Sequence, residues 1–235
     1  MDYQQLMKNY PKQRADLPPE YKAIYDQHYE ENRNGTTKVS SLSQKMERWL
    51  HKKVAATSYP GARTLEIGAG TLNQLSYEHD GIYDIVEPYT SLFADSPNKV
   101  RIRNIYSDIS AVPGEAVYDR ITSVACFEHV CDLPDVVKKC AQLLAPGGVL
   151  SVSIPNEGRF LWKLAYTMTT GREFKKRFGL DYETLMKYEH VNTADEIEAI
   201  LKHYFNDVRC SLFGIGKDLS FYRHYKCTLP ATEDI

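Results

Sequence analysis

Arg63-Thr64-Leu65-Glu66-Ile67-Gly68-Ala69-Gly70 is a short apolar run that ends in two closely spaced glycines. The alternation over Arg63–Ile67 predicts a β-strand, and the glycines predict a sharp turn at its end where backbone can approach a ligand. Glu87 closes the next predicted strand, Tyr83–Glu87, about 20 residues on, where an acid can accept the two hydroxyls of a ribose. A strand, a glycine turn and an acid at the second strand end together predict a nucleoside site. A dinucleotide site would follow GxGxxG, with a pyrophosphate at the helix N-terminus. Here Asn73 stands at the third glycine position, and Thr71-Leu72-Asn73 crowd the place of the phosphates. A cofactor without phosphates fits better, which weighs against a nicotinamide oxidoreductase.

Outward from this point the pattern repeats. Val100–Tyr106 and Tyr118–Phe127 predict a third and a fourth strand, and Val149–Ile154, rich in β-branched residues, a fifth. Leu133–Leu144 predicts a helix with Val136, Val137, Cys140, Ala141, Leu143 and Leu144 on one face, capped by Asp132 and stopped by Pro146-Gly147-Gly148. Strands alternating with helical segments predict a parallel sheet covered on both faces. Thr193-Ala194-Asp195-Glu196 is a capping box that opens a helix through Ile197, Ile200, Leu201 and Tyr204. Phe205–Phe213 and Leu219–Leu229, separated by Gly214-Ile215-Gly216, predict a terminal hairpin whose last strand is antiparallel. Residues 1–60 are polar and helix-prone, with helical stripes at Tyr21, Ile24, Tyr25, His28 and Tyr29 and again at Met46, Trp49, Leu50 and Val54.

The motifs resemble those of the class I methyltransferases that use S-adenosylmethionine. The family's E/D-x-G-x-G form is matched by Glu66, Gly68 and Gly70, its second acid by Glu87 in IVEPY, and its adenine-capping acid by Asp108 in YSDIS. FEHV, then a helix ending in LLAPGG and a strand ending in PN, is similar to the ubiquinone-biosynthesis-like small-molecule branch. The likeness covers residues 60–155 and extends to EHVNTADEIEAIL at 189–201. It implies an α/β, Rossmann-like three-layer sandwich with a seven-stranded, mostly parallel sheet in the order 3-2-1-4-5-7-6 and strand 7 antiparallel. It implies S-adenosylmethionine as cofactor, held by Glu66, Gly68, Ala69, Gly70, Glu87, Pro88, Asp108, Ile109 and Ala125. A third glycine common in the family is Leu72 here, which alters the loop near the methionine moiety without abolishing binding.

On this reading residues 1–60 form a helical N-terminal segment closing over the cofactor cleft. Residues 61–235 form the methyltransferase domain, with a substrate-side insertion at 156–190. A sulfonium methyl is already activated, so the enzyme aligns an acceptor and excludes water, and a hydroxyl acceptor gains from a base. His129, just past the fourth strand at the carboxyl edge of the sheet, and His190 before the capping box are the candidate catalytic residues. Tyr25, Tyr29, Glu128 and Arg172 are the candidate substrate contacts. His28 and His51 read as surface or packing groups. Glu128, His129 and Asp132 have the types of metal ligands, but carboxylates beside a helix start read as caps, so no metal is expected.

The basic, tyrosine-rich insertion points to a hydroxyl or amine of a small polar metabolite, a sugar or a phosphate-bearing compound. A quinone-type or other aromatic hydroxyl and a non-catalytic cofactor-binding role are the alternatives. The chain's 29 Lys+Arg against 31 Asp+Glu leave a net charge of −2, which speaks against a nucleic-acid partner. No apolar stretch of signal-peptide or membrane-span type is present. The cysteines (Cys126, Cys131, Cys140, Cys210 and Cys227) form no CxxC pair, which predicts a reducing, cytoplasmic setting.

Overall fold

A computed structural model of the chain describes residues 3–25 and 41–231. The seven strands form one sheet in the order β3-β2-β1-β4-β5-β7-β6. They are β1 (Arg63–Ile67), β2 (Ile82–Val86), β3 (Ile102–Tyr106), β4 (Tyr118–Val124), β5 (Leu144–Pro155), β6 (Phe205–Ile215) and β7 (Leu219–Pro230). The β1–β2, β1–β4, β2–β3 and β4–β5 pairs are parallel, whereas β7 is antiparallel to β5 and to its hairpin partner β6. The predicted order and the antiparallel last strand both hold. The central strands are apolar because both faces are covered: Leu65, Ile121, Leu150, Val152 and Ile154 are all fully buried.

The helices are α1 (Tyr3–Met7), α2 (helical at 19–25), α3 (Ser41–Ala55), α4 (Leu133–Leu143), α5 (Phe160–Met168), α6 (Thr170–Phe178), α7 (Tyr182–Glu189) and α8 (Ala194–Tyr204). Helix α3 packs across β4, β5 and β7, while α4 and α8 pack together against the main core. Buried Arg120 of β4 ties the α3 side to the sheet: it donates to Glu78 at 2.7 Å, to Thr64 and Thr57, and to the Val54 carbonyl. A second, smaller core joins Leu17 and Tyr21 to Phe174 and Leu185 of the insertion. The Tyr21 hydroxyl donates to the Asp181 carbonyl at 2.8 Å and accepts from the Asp181 N–H. The N-terminal segment is thereby fastened to α6 and α7.

Several local expectations are corrected. Asp132 precedes α4, but its side chain makes no capping hydrogen bond; Pro134 fixes the first turn instead. Pro146-Gly147-Gly148 lies inside β5, which starts directly after α4. Residues Pro97–Arg101 form a short 3-10 turn, so β3 starts at Ile102 rather than Val100. The links from β1 to β2 and from β2 to β3 carry 3-10 turns (Gln74–Tyr77, Thr90–Phe93 and Pro97–Arg101) in place of full helices. The fourth strand stops at Val124 because Ala125 turns to φ +49°. The capping box is present: Thr193 accepts from the Glu196 N–H, and Glu196 accepts from the Thr193 N–H at 2.8 Å. None of the five cysteines is in a disulfide. Among the described residues no helix is long and apolar enough to cross a membrane.

Candidate active site

The carboxyl ends of β1, β2 and β4 open onto a cleft of about 780 Å³, within the roughly 300–1,000 Å³ of small-molecule sites. Its floor is the turn after β1. Gly68 has φ +71° and Gly70 φ +51°, conformations that side-chain-bearing residues rarely adopt. At Gly68 a Cβ would also sit 2.3 Å from the Cys126 Sγ. Leu72 takes φ +66° as well, and its side chain is fully buried among Ala69, Leu75, Tyr83, Ile85 and Phe93.

Glu87 follows β2 and is almost fully buried. Its carboxylate accepts from the Gly70 N–H at 2.8 Å and from the Tyr89 N–H at 3.0 Å. These bonds lock the acid to the glycine turn and leave lone pairs for further donors. Glu66 accepts from the Tyr83 hydroxyl at 2.9 Å. Burial pushes its carboxyl up to about 8, against the smaller opposing effect of that hydrogen bond. Asp108 accepts from the Ser110 N–H at 2.8 Å at the rim of the cleft. All nine residues expected to hold the cofactor line this cleft. The absence of an α-helix after Gly70 removes the phosphate cradle of a dinucleotide site.

The other end of the cleft is built from two Glu-His-Val tripeptides, 128–130 and 189–191, laid against each other. The Val191 and Asn192 N–H groups both donate to the Glu128 carbonyl, and the Asn192 side chain donates to the Phe127 and Val130 carbonyls at 2.8 and 2.7 Å. His129 lines the cleft, its Nδ1 lying 3.0 Å from the Glu189 carbonyl, and its ring meets that of His190 edge to face at 4.7 Å. The His190 Nδ1 lies 2.7 Å from Glu157 Oε2, and Glu157 is itself held by the Trp162 indole N–H. Burial alone would lower His190, but its bond to Glu157 and the nearby Glu128 raise it above the usual imidazole value. Glu128, nearly fully buried, lies between them: one ligand atom each from Glu128, His129 and His190 falls within 4.8 Å of the others.

Arg14 was not foreseen. Its guanidinium donates to the carbonyls of Tyr188, Glu189 and His129, so one side chain from the N-terminal segment spans both tripeptides. Arg14, Tyr25 and Tyr188 form a wall shared by the cleft and an adjoining pocket of about 440 Å³, which Asp16 and Lys22 also line. Tyr25 and Tyr188 meet edge to face at 5.3 Å. His51 is buried, donates from Nδ1 to Gln74 Oε1 at 2.8 Å, and stacks on Tyr77. Arg172 stands exposed on α6 and lines neither the cleft nor the adjoining pocket. Tyr29 and His28 lie outside the described residues.

A family model described as a methyltransferase domain matches residues 39–204, which takes in the glycine turn, both tripeptides and α8. The chain belongs to the methyltransferase domain family. S-Adenosylmethionine is its cofactor, and the cleft at the glycine turn has the size and the donor set to hold it. No curated protein matches the sequence. Among solved structures, a SAM-dependent methyltransferase from Thermotoga maritima is 16% identical, covering 89% of this chain and 98% of its own with a TM-score of 0.56. An O-methyltransferase family protein from Burkholderia thailandensis is 15% identical, covering 98% and 71%, with a TM-score of 0.55. A phosphoethanolamine N-methyltransferase from Haemonchus contortus, solved with phosphomonomethylethanolamine and S-adenosylhomocysteine, is 14% identical, covering 98% and 61%, with a TM-score of 0.55. These methyltransferases share the fold and differ in the atom they methylate.

Proposed function

We propose that this methyltransferase acts on a hydroxyl or amine of a small polar metabolite seated between the cofactor cleft and the Arg14–Tyr25–Tyr188 wall. The observation that carries the reading is His129: it lines the same cleft as the glycine turn, and its ring is oriented by the Glu189 carbonyl. S-Adenosylmethionine supplies an activated sulfonium methyl. The residues of this chain do the rest. Glu87 and the glycine turn fix one end of the cofactor, with Asp108 at the rim. Residues of the N-terminal segment, Arg14 and Tyr25 with Glu47, Leu50 and His51 of α3, wall the cleft from water. With Nδ1–H donated to the Glu189 carbonyl, His129 keeps Nε2 as an acceptor for the proton of the acceptor group.

The basic run of α6 gives no support to a phosphate on the acceptor, since Arg172 faces solvent. Arg14 and Lys22 beside the adjoining pocket do favour an acceptor with an anionic or strongly polar group. The paired Tyr25 and Tyr188 rings favour a second reading, a flat aromatic hydroxyl of the quinone type. A screen of acceptors with methyl-labelled S-adenosylmethionine tests both. His129→Ala is expected to lower turnover on the acceptor by at least ~10²-fold, the lower end for a lost acid–base group, with cofactor affinity within a few-fold of the parent. A variant with near-normal turnover removes His129 from the chemistry.

A further inference from the structure

The two histidines and Glu128 are arranged in a way that proton transfer alone does not require. Each imidazole is anchored through Nδ1 to an acceptor outside the trio: His129 to the Glu189 carbonyl at 3.0 Å, and His190 to the Glu157 carboxylate at 2.7 Å. With Nδ1 of each ring donating, Nε2 is the nitrogen left to carry a lone pair. His129 Nε2 lies 3.8 Å from Glu128 Oε1. A buried carboxylate thus faces two imidazoles with fixed tautomers, and a backbone carbonyl and a second carboxylate stand behind them. Metal-bound histidines are held in this way, with the second ring nitrogen given to a carboxylate or a carbonyl. The chain builds a third layer too, because the Trp162 indole N–H fixes the Glu157 carboxylate at 2.7 Å.

We infer that Glu128, His129 and His190 bind a divalent first-row transition-metal ion at the acceptor end of the cleft. Two imidazoles and one carboxylate select zinc, cobalt, manganese or iron over magnesium and calcium, which take oxygen ligands. Metal–ligand bonds of about 2.0–2.1 Å put neighbouring ligand atoms roughly 3.0–3.4 Å apart. Ligand atoms that already lie within 4.8 Å of one another close on an ion through small side-chain rotations. Three protein ligands leave coordination positions open. His129 lines the cleft, so those positions fall to a hydroxyl oxygen of the acceptor. The ion lowers the pKa of that hydroxyl, whose proton leaves to solvent. The acceptor oxygen then forms the new O–CH3 bond, and the sulfur keeps the electron pair of the broken S–CH3 bond. The inference rests on the acceptor position proposed above and assigns the histidines as ligands in place of a free base.

The test uses the full chain, stripped with a chelator and then dialysed against Zn2+ or Co2+, with bound metal counted and the Co2+ visible spectrum recorded. One ion per chain is expected. His190→Ala and Glu128→Gln are expected to lose it, and Glu157→Gln, which keeps all three ligands, to bind it about 10–100-fold more weakly. Cobalt bands of a nitrogen–oxygen site are expected, without thiolate charge transfer from the cysteines. No bound ion in the parent chain, or an equal amount in His190→Ala and Glu128→Gln, overturns the inference. Labelled methyl transfer that survives chelation also overturns it and leaves His129 as the base. A bound ion at these residues in a chain that methylates none of the hydroxyl or amine acceptors supports the metal site and removes the acceptor reading instead.

Discussion

Gly68→Ala tests whether the glycine turn is set by its neighbour across the cleft as much as by the cofactor. Two costs follow from the structure. A non-glycine residue at φ +71° costs roughly 1–2 kcal/mol. The new Cβ would lie 2.3 Å from the Cys126 Sγ and 2.7 Å from its Cβ, an overlap of the kind that costs roughly 1–3 kcal/mol when a packed site must shift. The sum is about 2–5 kcal/mol, or a fall in Tm of roughly 4–20 °C for a chain of this size. The two costs separate in a double-mutant cycle with Cys126→Gly, which removes both clashing atoms and leaves the φ cost in place. Chemical denaturation of the four proteins is expected to show a coupling of about 1–3 kcal/mol in favour of the double variant. Calorimetry on the same proteins reads the cofactor: Gly68→Ala is expected to weaken S-adenosylmethionine binding, and the double variant to recover part of it. Additive destabilisation, with no recovery on removing Cys126, would refute the steric argument.

Three further outcomes are expected. Glu87→Ala loses the carboxylate that holds Gly70 and Tyr89 as well as the ribose contact proposed for it, and calorimetry is expected to show S-adenosylmethionine affinity down more than ~10-fold, about 1.4 kcal/mol; unchanged affinity in a folded variant removes Glu87 from the site. Glu66 holds its proton up to about pH 8 in the folded chain, whereas the unfolded chain releases it near the ordinary carboxyl value of 4.5. Its contribution is therefore fully present below that unfolded value and is lost as pH rises through about 8. The parent is expected to lose roughly a few kcal/mol relative to Glu66→Gln between pH 5 and 9, and parallel stability–pH curves for the two would show that Glu66 stays ionised. Leu72→Gly relieves a positive φ worth roughly 1–2 kcal/mol but opens a cavity that costs roughly 2–5 kcal/mol for a buried leucine; a net loss of stability is expected, and a variant as stable as the parent would mean that burial does not hold the turn.

The elements legible in the sequence were those whose signal is local. Leu65, Ile67, Ile121, Val152 and Ile154 read as strands because a strand buried on both faces needs an apolar run. Thr193 and Glu196 read as a helix start because both bonds of the box lie within one turn. The glycine turn and Glu87 read as a site because their spacing puts them on adjacent parallel strands, and Gly70 N–H and the Glu87 carboxylate do bond. What escaped was built by distant residues. Arg14 reaches carbonyls of residues 129, 188 and 189, Asn192 those of 127 and 130, and Glu157 the ring of His190. Nothing in the types or spacing of these residues announces the pairing, apart from the repeated Glu-His-Val. Asp132 misled because a carboxylate before a helix usually caps it, whereas here Pro134 already occupies the first turn and the side chain makes no capping bond.

Leu72 carries a consequence for how the cofactor is met. A glycine at φ +66° would leave the end of the turn free to sample many backbone states, each of which a ligand must freeze out. The leucine instead plants the turn in the small core of Leu75, Tyr83, Ile85 and Phe93, while the Gly70 N–H is held from the other side by Glu87. Much of the ordering entropy is thus spent when the chain folds and not when the ligand arrives. A departure from the family's glycine pattern becomes a form of preorganisation, in which a buried side chain that does not line the cleft sets the shape of the turn that does.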